Sequence, residues 1–112
     1  KIIENLAQKE DCIIVGRCAN YLLRGKCLSL FVYAPYEYRV QRVMERLGRE
    51  DRSARVLIRK TDKSRKAYYE FFTDEKWNDP ENYNFCVDTS QFSKEFLVKL
   101  LAEAYREWNP DA

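Results

Sequence analysis

Three short apolar runs constrain this chain most: "CIIV" at residues 12–15, "LSLFVY" at 28–33 and "NFCV" at 84–87. Each is continuous rather than alternating. That is the pattern of a strand covered on both faces, and such strands occur in parallel sheets whose crossovers are helices. The intervals carry helical spacing. Ile2, Ile3, Leu6 and Ala7 open the chain on one helical face with no capping residue before them, as if it began inside a helix, and "CANYLL" makes about two further turns. Tyr36, Val40, Val43, Met44 and Leu47 then recur at i, i+4, i+7, i+8 and i+11 until Gly48 stops the helix. A second basic helix is expected over roughly 51–72, followed by the turn-rich "TDEKWNDPENY". Turn and capping residues at 88–93 lead into a closing helix. Its stripe is Phe96, Leu97, Leu100, Leu101, Ala104, Tyr105 and Trp108. Strands alternating with helices predict an α/β parallel sheet with right-handed crossovers, built as one domain with a helical pair inserted between its second and third strands.

Charge places function in that insertion. The 20 basic and 18 acidic residues nearly cancel, but residues 36–66 hold eleven basic against five acidic, and residues 67–112 hold four against ten. A positive field in the middle third suits an anionic ligand, and two readings follow from it. One is a nucleic-acid-binding module with a backbone stripe over 39–65, which the interspersed acids and a pI near 8.4 disfavour. The other is a clamp for the phosphates of a small molecule.

The four cysteines, at 12, 18, 27 and 86, have no paired spacing, and the chain has no histidine, which speaks against a zinc site. Free thiols buried beside apolar runs, and no apolar run near twenty residues, lead us to expect a cytoplasmic protein without a membrane partner.

"NYLLRGKC" at 20–27 lies close to G-x-x-x-x-G-K-[ST] but fails as a phosphate loop. Asn20 stands for the first glycine, Cys27 for the Ser/Thr, and the order is helix then strand. Arg17, after the carboxyl end of "CIIV", is better placed to meet a phosphate bidentately. In "RKTDKSRKAYYEFF", residues 59–72, three-and-four spacing puts Arg59, Asp62, Arg65 and Lys66 on one face, with Asp62 expected to hold the guanidinium groups. The same spacing also describes a solvated surface helix. Tyr68, Tyr69, Phe71 and Phe72 are expected to pack that helix against its domain.

The segments "CIIVGRCANYLLRG", "LFVYAPYEYRVQRVMER", "IRKTDKSRKAYYEFFT" and "KWNDPENYNFCVDTS", in this order and spacing, resemble the cytidylate kinase-like family of P-loop proteins. The resemblance covers nearly the whole chain. It implies phosphoryl transfer from ATP, with Mg2+, to a nucleoside monophosphate such as CMP or dCMP, without a nucleic-acid partner. The fold implied is part of a P-loop NTPase-type three-layer parallel sheet, with helices on both faces and a helical lid over about 48–74. Position by position, Arg17 resembles the arginine that contacts the acceptor monophosphate, and Cys18 stands where the family has an aspartate that helps recognise the acceptor. Arg39 and Arg42 resemble the arginines that open the lid on the ATP side. Arg59, Asp62 and Arg65 match the lid pattern R-x-x-D-x-x-R, whose arginines neutralise the transferring phosphoryl group, while Asp88 and Thr89 resemble the turn bordering the ATP base. The family's phosphate loop and first strand, which precede these segments in the family, have no counterpart in these residues; in the family's sheet that strand lies between the strands equivalent to "CIIV" and "LFVY". The resemblance therefore implies that residues 1–112 form the carboxyl-terminal part of a kinase domain, inactive alone. A kinase-derived interaction domain, with "YYEFF" and Trp77 as its interface, is the remaining alternative.

Overall fold

The computed structural model describes residues 2–109. Five α-helices and two strands follow in the order α1 (Ile2–Lys9), α2 (Ala19–Leu22), β1 (Leu30–Tyr33), α3 (Tyr36–Leu47), α4 (Asp51–Thr73), β2 (Phe85–Asp88) and α5 (Lys94–Glu107), with one 3-10 turn at Pro80–Asn82. β1 and β2 pair in parallel, Leu30 opposite Phe85 through Tyr33 opposite Asp88. The connection between them contains both long helices, as the parallel pattern requires.

Two of the three expected strands form. Residues 11–15 carry no regular secondary structure, and Ile13 and Val15 are 94% and 88% exposed. A strand exists only through its ladder. Among the described residues β1 pairs with β2 alone, so "CIIV" takes part in no ladder, and most of its apolar surface stays uncovered. The chain is therefore a mixed α/β molecule with a small two-stranded parallel sheet. "CANYLL" is also shorter than expected, a single turn entered through left-handed residues. Only Cys18 of the four free cysteines is buried. Cys27 is half-buried, and Cys12 and Cys86 are exposed, Cys12 because its segment is unpaired.

The best-buried cluster lies between α3 and α4. Val40, Ala54 and Ile58 meet there, flanked by Tyr36, Val43 and Met44, and Ala54 is fully buried, letting the two helix backbones approach closely. Gly48 turns the chain between them at φ 63°. A Cβ at Gly48 would meet nothing within 4 Å, so Gly48→Ala adds strain without a clash. A loss of about 1 kcal/mol in urea unfolding is expected, and an unchanged midpoint would mean that the turn relaxes.

A polar clasp holds the sheet's amino ends. Asn84 Oδ1 accepts from the Ser29 N–H at 2.9 Å and from Ser29 Oγ at 3.0 Å, while the Asn84 N–H donates to Ser29 Oγ at 3.0 Å. Beyond β2, Ser93 caps α5 by accepting from the Phe96 N–H at 3.1 Å. No described helix is long and apolar enough to cross a membrane.

Candidate active site

Two groups of side chains form along α4, where one face was expected. Successive residues of a helix are rotated by about 100°. Arg59 and Arg65 are therefore turned about 120° apart, and each step of three drifts further around the axis. Arg59 faces α3, where its guanidinium lies 5.8 Å from the centroid of the Tyr36 ring, with Arg39 at 6.0 Å and Arg55 at 5.5 Å. Asp62 binds across the helix pair rather than along it. Its carboxylate accepts from Arg39 Nη1 at 3.0 Å through Oδ1 and lies 2.9 Å away through Oδ2. The expectation that Asp62 orders Arg59 and Arg65 is thus corrected, because the packing of α3 on α4 brings Arg39 Nη1 to both of its carboxylate oxygens. Arg55 is similarly committed, to Glu37 and Asp51, whose carboxyls it holds below their ordinary range.

Arg65 turns the other way, to the loop before α2. A cavity of about 290 Å³ is lined there by Gly16, Arg17 and Cys18, by Ser64, Arg65, Tyr68 and Tyr69 of α4, and by Trp77. Arg17 and Arg65 stand 48 positions apart in the chain, and neither has an ion-pair partner among the described residues. Two guanidinium groups without ion-pair partners thus give one concavity a positive lining.

The loop that brings Arg17 there runs against the usual backbone preference. Gly16, Arg17 and Cys18 take φ of 74°, 60° and 55° in succession. Glycine accepts this freely, but each of the other two carries a steric cost. The turn is held by hydrogen bonds from the Ala19 N–H to Gly16 O at 3.2 Å and from the Tyr21 and Leu22 N–H groups to Cys18 O at 3.0 Å, and by burial of Cys18, Ala19 and Leu23. Burial also pushes the Cys18 thiol up, so it stays protonated and adds no charge beside the arginines.

Of the remaining candidates, Arg42 is exposed on α3. Asp88 Oδ1 accepts from the Ser90 N–H at 2.9 Å and from Ser90 Oγ at 2.7 Å, and the Thr89 N–H donates to Tyr33 O at 3.0 Å. These two finish the sheet at its carboxyl end, and no hydrogen bond or ion pair among the described residues joins them to Arg39 or Arg42. A smaller cavity of about 160 Å³, bordered by Asn20, Arg24, Asn82 and Asn84, lies at the sheet's amino ends. Its arginine is committed to Glu75 at 2.6 Å.

Sequence reasoning missed Tyr68 and Trp77 as cavity residues. Tyr68 follows Arg65 by three positions and shares its side of α4, a signal that was legible. Trp77 arrives from the loop through tertiary contacts alone. The aromatic run was expected to pack inward, and only Tyr69 does so. Its phenol oxygen accepts from Asn20 Nδ2 at 3.0 Å. Phe71 is 80% exposed, with Tyr68 and Phe72 also open to solvent, because at about 100° per residue Tyr68 and Phe71 are turned well away from the side that Tyr69 buries.

Comparison with known proteins places the chain among relatives. The family described as cytidylate kinase-like matches residues 1–91. The cytidylate kinase of Methanopyrus kandleri (strain AV19) is 28% identical over 108 residues, which cover 88% of this chain and 56% of that protein. A crystal structure of an uncharacterized protein from Eubacterium ventriosum ATCC 27560 is similar with a TM-score of 0.87 at 29% identity, over 96% of this chain and 62% of that one. The chain thus spans little more than half the length of the curated relative it matches.

Proposed function

The chain belongs to the cytidylate kinase-like family, and from that premise we propose that it supplies the acceptor-side and lid arginines of a kinase that transfers the γ-phosphoryl group of ATP to CMP, dCMP or a similar nucleoside monophosphate. The observation that carries this reading is the meeting of Arg17 and Arg65, neither ion-paired, at one cavity. Arg17 takes the acceptor's phosphate, whose oxygen attacks the γ-phosphorus as the bond to ADP breaks, and Arg65, at the same cavity, spans that phosphate and the phosphoryl group in transfer. Arg39 and Arg59, held near each other by Tyr36 with Asp62 steadying Arg39, form the lid side that meets the transferring group. Charge stabilisation and positioning provide most of the rate in such a reaction. Cys18, neutral and next to Arg17 in the chain, offers the acceptor a weak donor where an aspartate would accept.

Among the described residues no group of three or more His, Cys, Asp or Glu side chains could hold a metal ion, and Asp62 is engaged by Arg39. The described residues therefore do not by themselves fit a Mg2+ site. The proposal assigns the phosphate loop that grips ATP, and the Mg2+ that accompanies it, to residues outside these 112. The mixed α/β body would then be one part of a larger parallel sheet, with residues 48–74 as its lid.

Assaying ATP-dependent phosphorylation of the common nucleoside monophosphates tests this. The complete protein is expected to turn over CMP or dCMP in preference to AMP and GMP, and the 112-residue chain to turn over none. Transfer by the chain alone would overturn the partition, and no transfer by the complete protein would overturn the kinase reading. Binding to DNA or RNA that falls steeply with salt would move the assignment to a nucleic-acid module. That alternative has fewer free cations than the sequence suggested, since Arg24, Arg39 and Arg55 are all ion-paired.

A further inference from the structure

The cavity holding Arg17 and Arg65 has a second wall that phosphate binding does not explain. Tyr68 and Trp77 line it. Tyr68 keeps 46% of its surface exposed while its ring lies 4.8 Å from that of Phe72. Trp77 is held firmly for a loop residue. Its backbone N–H donates to Glu70 Oε2 at 3.2 Å, its backbone carbonyl accepts from the Tyr83 hydroxyl at 2.5 Å, and its ring meets Phe31 at 5.5 Å and 80°. The perpendicular contact with Phe31 does not occupy both faces of the indole, and Trp77 is only half-buried where it lines the cavity. Phosphate has no use for such a surface, whereas a nucleobase does. The volume, about 290 Å³, sits at the small end of ligand sites and suits one mononucleotide better than a strand.

We infer that Trp77, together with Tyr68, is the base-contacting wall of the acceptor site, so that a nucleobase lies against the indole while its phosphate is held by Arg17 and Arg65. The inference rests on the kinase reading above. A ring face recognises flatness rather than exocyclic groups. Trp77 therefore separates nucleotides from sugar phosphates and discriminates little between one pyrimidine and another.

Titration calorimetry on the complete protein with CMP, UMP, ribose 5-phosphate and inorganic phosphate tests it. CMP and UMP are expected to bind within a few-fold of each other and about tenfold or more tighter than ribose 5-phosphate. Trp77→Ala should remove about that factor for CMP and leave ribose 5-phosphate within about twofold, whereas Arg17→Ala should weaken every phosphorylated ligand. Should Trp77→Ala unfold, Trp77→Leu keeps an apolar contact for Phe31 without a flat face, and the same comparison applies. If Trp77 variants bind CMP as the parent does while Arg17→Ala still weakens it, the base wall is wrong and the phosphate site stands. Equal losses for CMP and ribose 5-phosphate would likewise reduce Trp77 to a structural part. If none of the ligands binds, the acceptor site falls and the inference with it.

Discussion

Arg65→Ala in the complete protein is expected to lower the turnover number for CMP phosphorylation by about a thousandfold, the scale on which an arginine at a transferring phosphoryl group acts. Stability should change by no more than about 0.5 kcal/mol, because Arg65 is exposed and has no ion-pair partner among the described residues. A group that acts mainly in the transition state depresses turnover more than it raises KM. Arg59→Ala should show the same kinetic direction with a small added loss of stability, since its guanidinium rests on Tyr36. Steady-state kinetics beside urea unfolding separates the two effects. Undiminished turnover in both variants would leave the aromatic run and Trp77 as an interface, and the protein as a non-catalytic relative. A shallower salt dependence of nucleic-acid binding would favour the stripe.

Ile58→Ala should cost about 2–5 kcal/mol of stability. Ile58 is 5% exposed and closes the cluster with Val40 and Ala54; truncating it leaves a void between two helices that cannot easily move together. The loss should spread to function. α3 and α4 carry Arg39 and Asp62 respectively, and their ion pair, each partner about one-third exposed, adds too little to hold the helices without the apolar contact. A chain whose whole stability is of the usual size, about 5–15 kcal/mol, would lose a large part of it. Urea unfolding monitored by helical circular dichroism checks this, and a shift under about 1 kcal/mol would mean that the α3–α4 pair is fastened elsewhere.

What could be read from the residues follows the range of the forces involved. α3 and its stop at Gly48 were legible, because apolar spacing and a left-handed terminus act within a few residues. The same holds for α4, whose observed end at Thr73 lies one residue beyond expectation, and for the cap of α5 at Ser93. "CIIV" reads as a strand no less than "LFVY" does, yet only "LFVY" found a partner, and pairing is a property of neighbours that no local pattern contains. In the site, residue types were legible and their meetings were not. Arg17 and Arg65 were singled out separately, for a loop position and for helical spacing. Their convergence depends on how α4 is rotated against the loop before α2. Spacing alone grouped Asp62 with Arg59 and Arg65, and the packing of α3 on α4 gave it to Arg39.

The left-handed turn at residues 16–18 has a stereochemical consequence. Every encoded amino acid except glycine has the wrong hand for this region of backbone, at about 1–2 kcal/mol for each residue placed there. Glycine at position 17 would relax the turn but would carry no guanidinium to the cavity, while arginine carries the guanidinium and keeps the strain. No encoded side chain satisfies both demands, so at this one position the handedness of the chain sets tight folding against grip on the ligand.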